Sequence, residues 1–403
     1  MDVTFNFVMA ILAFSLPYIF TWCNLSTISK TVSCNQHQAN VVPSFPEYNG
    51  TLRYLEFKGQ WIIRDLDYNS FKDAPLSEKL ILQNIGLKHL SCDVFNNIIP
   101  ELQILNLDDN LLDYFPACSL NTLWRLRTLT LSRNFIQCIP EHSMPGFLTH
   151  LDVSNNKIYS LSSDLSTDVH NKNQLKTLII RGNNLRRINE NKLNQFSSLK
   201  YLDASENQLD YINSVSFLSS GSQLRDINLS HNQLTGTVWL CLEYTLEVRN
   251  LNLSHNLIEL VNETTLSNMK SLQKLEISYN ILTSVGPAFV DQKDILLLLF
   301  QHNAITSVSR ELFSTRSGFM ETFTIDLSFN SLASLDLGIP ECFNCTVSVH
   351  HNKLRTTDLY TVSTYRTRHF CVNNQKTFQI FTFRLNCHYT WKTIVFPLDS
   401  FVV

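Results

Sequence analysis

The chain has 403 residues, with 32 Lys and Arg against 35 Asp and Glu and a formal net charge of −3. Charged residues make up 17%, below the ~25% of an average soluble protein, and 44% of residues are hydrophobic. This excludes a disordered chain, a strongly basic nucleic-acid protein and an acidic tail. The 10 glycines and 11 prolines argue against a fold built on glycine-rich phosphate loops, and the 10 cysteines suit a secreted protein with crosslinked ends.

Residues 1–22 are expected to be a signal peptide. The stretch from Phe5 to Phe20 carries no charge, and Asn24, Ser26, Ser29 and Lys30 then turn the chain polar. No Lys or Arg precedes the apolar stretch and no A-x-A cleavage site follows it, so an uncleaved N-terminal anchor is the alternative. Beyond residue 22 no apolar run reaches the ~18 residues of a bilayer span. No membrane span is therefore expected after the signal peptide, and the mature chain is expected outside the cell. Residues 23–50 read as an N-terminal cap.

Residues 51–355 are dominated by self-similarity. Leu102, Leu105, Leu107, Asn110 and Leu112 recur as Leu126, Leu129, Leu131, Asn134 and Ile136, then as Leu151, Val153, Asn156 and Ile158, and as Leu178, Ile180, Asn183 and Leu185. Further copies carry Asn207, Asn232, Asn256, Asn280, Asn303, Asn330 and Asn352 at the same place, separated by 22 to 27 residues. Degenerate copies precede them, one with Leu80, Leu82 and Leu87 but Ile85 where Asn is expected, another with Leu52, Leu55 and Phe57. The period is that of the leucine-rich repeat, with about thirteen turns.

The expected fold is an α/β repeat, a leucine-rich-repeat solenoid or horseshoe. Alternating apolar residues form short parallel strands lining the concave face. Each Asn amide can bond turn backbone that no sheet or helix covers. Phe95, Phe196, Phe217 and Phe313 are expected to close the core from the other side, which needs only irregular or 3₁₀ segments, so helix content should be low. Residues 356–403 are expected to be an irregular C-terminal cap and tail. Cys92 and Cys118 hold near-equivalent places in consecutive turns and could be bridged. Cys138 and Cys241 are four turns apart and read as buried free thiols.

With an apolar leader, cysteine-bearing ends and repeats of about 24 residues, the chain resembles the ectodomain of a Toll-like receptor or a related extracellular leucine-rich-repeat protein. The resemblance covers most of residues 23–390. It implies an N-terminal cap closed by Cys23 and Cys34, and a C-terminal cap in which Cys342 pairs with Cys371 and Cys345 with Cys387. Two residues lie between Cys342 and Cys345 where one is common, which marks the cap as irregular. A C-x-x-C redox site would need a thioredoxin-like context that is absent.

Outward strand residues would carry specificity. Arg127, Lys176, Lys200, Arg225 and Arg249 form a basic column that could attract an anionic ligand, nucleic acid included. Asp203, Asp226 and Glu206 offset it, so that partner is not the favoured one. A second column reads His231, His255, Tyr279, His302, Phe329 and His351, with His350 beside it. Its imidazoles could turn this edge positive in acid, or be ordinary surface residues. In the turn from Ile295 to Asn303, Leu296, Leu297 and Leu299 point outward while Leu298 and Phe300 point in. Three outward leucines suggest either a contact site or packing beneath the cap.

Asn24, Asn49, Asn228, Asn252, Asn262 and Asn344 head N-x-S/T sequons. No G-x-S-x-G, H-E-x-x-H or phosphate loop is present, and His350, His351, His369 and His388 lack the spacing of a metal site. No enzyme activity, cofactor or metal is expected. The resemblance implies an innate-immune pattern-recognition scaffold without its own signalling domain, either a soluble form or the lumenal part of a truncated membrane receptor. It would bind a protein or microbial ligand on the concave face and could pair with itself or another leucine-rich-repeat receptor. The alternative is a secreted matrix or adhesion protein of the same fold.

Overall fold

The computed structural model describes residues 23–354 and 369–371, apart from 38, 44, 46–47, 49, 99, 163, 166–173, 190–191, 290–291, 293, 313–319, 335–341. The expected signal peptide, Asn49, Phe313 and Cys387 lie outside the described residues. Two compact units divide the chain, one reaching Phe135 and including Ser143–Pro145, the other formed by Ile136–His142 and the chain from Gly146 onward.

The first unit opens with an antiparallel pair, Cys23–Ser26 against Thr31–His37, in which Cys23 and Cys34 stand opposite each other and are joined by a disulfide. Val32 and both cysteines are buried, so the hairpin lies as a lid on the first turn. Parallel strands then follow at Tyr54–Gln60, Lys79–Ile81, Ile104–Asn106 and Thr128–Thr130. A second disulfide joins Cys92 to Cys118 across adjacent turns, with Cα atoms 4.9 Å apart.

The second unit repeats the same three-residue strand. It runs through His150–Asp152, Thr177–Ile179, Tyr201–Asp203, Asp226–Asn228, Asn250–Asn252, Lys274–Glu276 and Leu297–Leu299. It continues into the longer Met320–Asp326 and Cys342–Ser348, and a short His369–Cys371. All pair in parallel.

In these strands the central residue is buried and its neighbours are mostly half-exposed, as period-2 side-chain alternation requires. Leu151, Leu178, Leu202, Ile227, Leu251, Leu275 and Leu298 thus stack in one apolar column, each burial contributing roughly 1.5–3 kcal/mol. Phe196, Phe217 and Phe289 are fully buried behind it, and Phe95 is fully buried within the first unit. The rest of each turn needs little regular structure: a 3₁₀ turn at Tyr68–Phe71, and short helices at Ala117–Leu120, Val238–Leu242 and Glu263–Asn268. The 3₁₀ turn starts because Asp67 accepts from the Asn69 and Ser70 amides.

The asparagines do what their spacing predicts. Asn110 donates to the Leu82 and Leu107 carbonyls, and its Oδ1 accepts from the Ile85 and Leu87 amides at 3.1 and 3.0 Å. The same pattern of donation within and between turns recurs at Asn134, Asn207, Asn232, Asn256, Asn280, Asn330 and Asn352.

Two cysteine expectations change. Cys138 is an exposed free thiol because it falls at the outward position of the two-residue strand Cys138–Ile139, whose inward residue is Ile139; Cys241 is buried in a helix as expected. Cys371 sits beside Ser348 in the parallel register, six positions along the strand from Cys342. At ~3.3 Å per residue that separates their backbones by about 20 Å, so this register does not permit the Cys342–Cys371 link.

Candidate functional site

The outward face of the second unit's sheet gathers the predicted residues into columns one rung apart. Backbone bonds of 2.7–2.9 Å link Lys176, Lys200, Arg225, Arg249, Gln273 and Leu296 from rung to rung. The basic column therefore ends where the leucines begin. Its field is opposed at close range: Arg225 lies 3.7 Å from the Glu247 carboxylate, and Tyr201 stands between Asp203 and Asp226 on neighbouring positions. Burial first, and then these two carboxylates, push the Tyr201 phenol above its ordinary pKa. Arg127 belongs to the first unit.

Leu296 is half exposed, Leu297 and Leu299 are partly exposed, and Leu298 and Phe300 are fully buried beneath them. Lys274 and Glu276, 3.0 Å apart, flank the leucines on one strand, and Thr324 and Asp326 on the other. The result is a small apolar island with a charged or polar rung on each side.

Asn228 and Asn252 face each other on consecutive rungs. Each Oδ1 accepts from the amide and the hydroxyl of the serine two residues later, Ser230 and Ser254. Asn106, Asp152, Asp203 and Asp326 make the same backbone turn bond. The sequons at this position thus double as turn-forming residues. Asn262 caps a helix by accepting from the Thr265 amide at 2.8 Å, Asn24 is exposed in the N-terminal hairpin, and Asn344 lies in the strand Cys342–Ser348.

The column preceding the repeat asparagines carries a feature that sequence reasoning missed. Asp109, Arg133, Asn155, Glu206, His231, His255, Tyr279, His302, Phe329 and His351 all have φ between 50° and 57°, and Gly182 has 65°. This is the left-handed region, uncommon for residues other than glycine. In the second unit the side chains from His231 to His351 that share it lie parallel to one another. The second half of the column therefore becomes a stack of six rings. Centroid separations are 4.0 Å for His231–His255, 4.2 Å for His255–Tyr279, Tyr279–His302 and His302–Phe329, and 4.1 Å for Phe329–His351, with interplanar angles of 10–12°. His350 adds an edge-on contact to Phe329 and a 2.7 Å Nδ1–Nδ1 contact to His351. Burial, then the neighbouring imidazoles, lower the His255 pKa against an opposing pull from Glu276. Burial also lowers that of His350, against Asp326. The repetition of histidine was visible in the sequence; the φ that makes it a stack was not.

Among the described residues no group of three or more His, Cys, Asp or Glu is arranged to hold a metal ion, and no helix is long and apolar enough to cross a membrane.

A leucine-rich-repeat family profile matches residues 100–158 and 173–234. Toll-like receptor 6 of Dasypus novemcinctus is 26% identical over 155 residues, which are 37% of this chain and 20% of that receptor. The matched part thus spans about a fifth of that relative's length. Among solved structures, the leucine-rich-repeat protein LIC12759 of Leptospira interrogans superposes with a TM-score of 0.61 at 22% identity, covering 77% of this chain and 75% of that one. Toll, from the Drosophila Toll–Spatzle complex, superposes at 0.66 and 19% identity, covering 83% of this chain and 45% of Toll. The chain folds as a leucine-rich-repeat solenoid, and its repeats resemble those of a Toll-like receptor ectodomain.

Proposed function

We propose that the chain is an extracellular binding scaffold of innate immunity that takes a protein ligand on the outward face of its parallel sheet. The observation that carries the reading is the apolar island of Leu296, Leu297 and Leu299, set among charged and polar rungs. The outward leucines sit above a core already closed by Leu298 and Phe300, and an apolar patch with a polar rim is the anatomy of a contact site. Likeness to Toll-like receptor 6 supports the receptor reading, and Toll is solved in complex with Spatzle. Two N-terminal disulfides support an oxidising, extracellular location.

On this reading Arg225, Arg249, His231, His255, Tyr279 and His302 form the polar and aromatic surround of the island. Glycans at Asn228 and Asn252 would confine a ligand to the rungs on either side of them. Dimerisation with a second leucine-rich-repeat chain would use the same island.

The test is the double change Leu297→Ser and Leu299→Ser. Folding should persist, because Leu298 and Phe300 stay inside. Self-association in sedimentation, or capture of a protein ligand on a surface, should weaken at least tenfold, about 1.4 kcal/mol. Serine substitutions at the exposed Leu240 and Leu260, on the other side of their turns, should leave it unchanged. A folded double variant with unaltered association and binding would remove the island from the interface.

A further inference from the structure

The six-ring stack is not uniform along its length. His302 lies between the faces of Tyr279 and Phe329, 4.2 Å from each. His231 and His255 face one another at 4.0 Å with no aromatic ring between them. At the far end His350 and His351 share an Nδ1–Nδ1 hydrogen bond, which needs one nitrogen to act as acceptor.

Acid affects these places differently. A protonated His302 meets two aromatic faces, each of which attracts a cation at this distance. A doubly protonated His231–His255 pair sets like charges face to face, in a site that also shields His255 from water. A doubly protonated His350–His351 pair has no acceptor left for its hydrogen bond. Glu206 lies near His231, Glu276 near His255, and Asp326 near His350. Glu206 is already engaged by Arg181 and Glu276 by Lys274. His302 adds repulsion toward both His255 and His350.

We propose that the ring stack is an acid-sensitive seam that parts at the His231–His255 and His350–His351 junctions and holds at Tyr279–His302–Phe329. The backbone makes this local opening observable. The His231 amide donates to Ser254 and the Asn232 amide to His255, at 2.9 and 3.1 Å, so they span the first junction. The Tyr279 and His302 amides donate to Gln301 and Ser328, at 3.0 and 3.1 Å, and span the part that holds. The inference is independent of what the sheet face binds.

Hydrogen exchange of the full chain, followed peptide by peptide at pH 7.5 and 5.5 and corrected for intrinsic rates, tests it. At pH 5.5 peptides containing His231–Asn232, and those containing Phe329, whose amide donates to the His350 carbonyl at 2.9 Å, should exchange measurably faster than at pH 7.5. Peptides containing Tyr279 and His302 should keep their protection. The variant His255→Phe places a phenylalanine in a conformation that Phe329 already adopts in this column. It should abolish the response at the first junction and leave that at the second. If that variant exchanges fast at pH 7.5, His231→Phe makes the same measurement. No response in the parent chain, a uniform response along all rungs, or an unchanged first-junction response in the folded variant would each overturn the seam.

Discussion

Asn256 reaches back one full turn to Leu229: its Nδ2 donates to the Leu229 carbonyl at 3.0 Å while also donating to Leu253 at 3.1 Å within its own turn. Its Oδ1 accepts from the Leu234 amide at 3.0 Å. One buried side chain thus closes polar groups on two turns. Replacing Asn256 by Ala should leave these groups orphaned, each at about 1–3 kcal/mol. A loss of roughly 3 kcal/mol or more is expected in urea unfolding. The exposed neighbour Leu257, changed to Ala, should move the midpoint little.

Stability should fall with acid below the ordinary histidine range. His255 and His350 have folded-state pKa values below the unfolded value of 6.5. Below that value the unfolded chain binds more protons, so their contribution is intact above it and is lost as pH falls through the lowered folded values. Asp109 and Glu206 are also lowered, chiefly by hydrogen bonds from Arg133 and Arg181, but as carboxylates they act in a more acidic window. Urea midpoints should therefore decline between pH 7 and 5 in the parent chain. In a variant carrying His255→Phe and His350→Phe the decline in that interval should be clearly shallower. Equal slopes would show that other groups govern it.

Cys138 and Cys241, both free thiols, should react in opposite ways. Cys138 is exposed, whereas complete burial pushes the Cys241 thiol up, well out of the reactive range. A maleimide at neutral pH should label Cys138 in the native chain and Cys241 only after denaturation. Mass mapping of labelled peptides decides it; native labelling of Cys241 would mean that its helix opens readily.

Period and chemistry made the scaffold legible from sequence. The leucine column and the asparagine bonds follow from an alternation of two residues and a repeat of about two dozen, which few folds share. Cys92 and Cys118 were legible for the same reason, since equal places in adjacent turns lie about one strand spacing apart. Cys138 was misread as buried because a two-residue strand is too short to show which residue faces in. Cys342–Cys371 depended on a likeness to other caps and not on the local register, and the register went elsewhere. The ring stack needed φ, which no residue type in the column announces: Arg133, Glu206, His255 and Phe329 share it without sharing chemistry. The leucine island was visible as a break in alternation, yet its polar borders appear only when neighbouring strands are aligned.

The left-handed column also bears on how such a chain can change. Its occupants include acids, bases, an amide, imidazoles, benzene rings and one glycine, but no valine, isoleucine or threonine. The backbone there excludes branching at Cβ and is indifferent to nearly everything else. One edge of the solenoid is thereby uncoupled from the packing of its core. Charge and ring content along it can be rewritten rung by rung, while the leucines and asparagines behind it stay as they are.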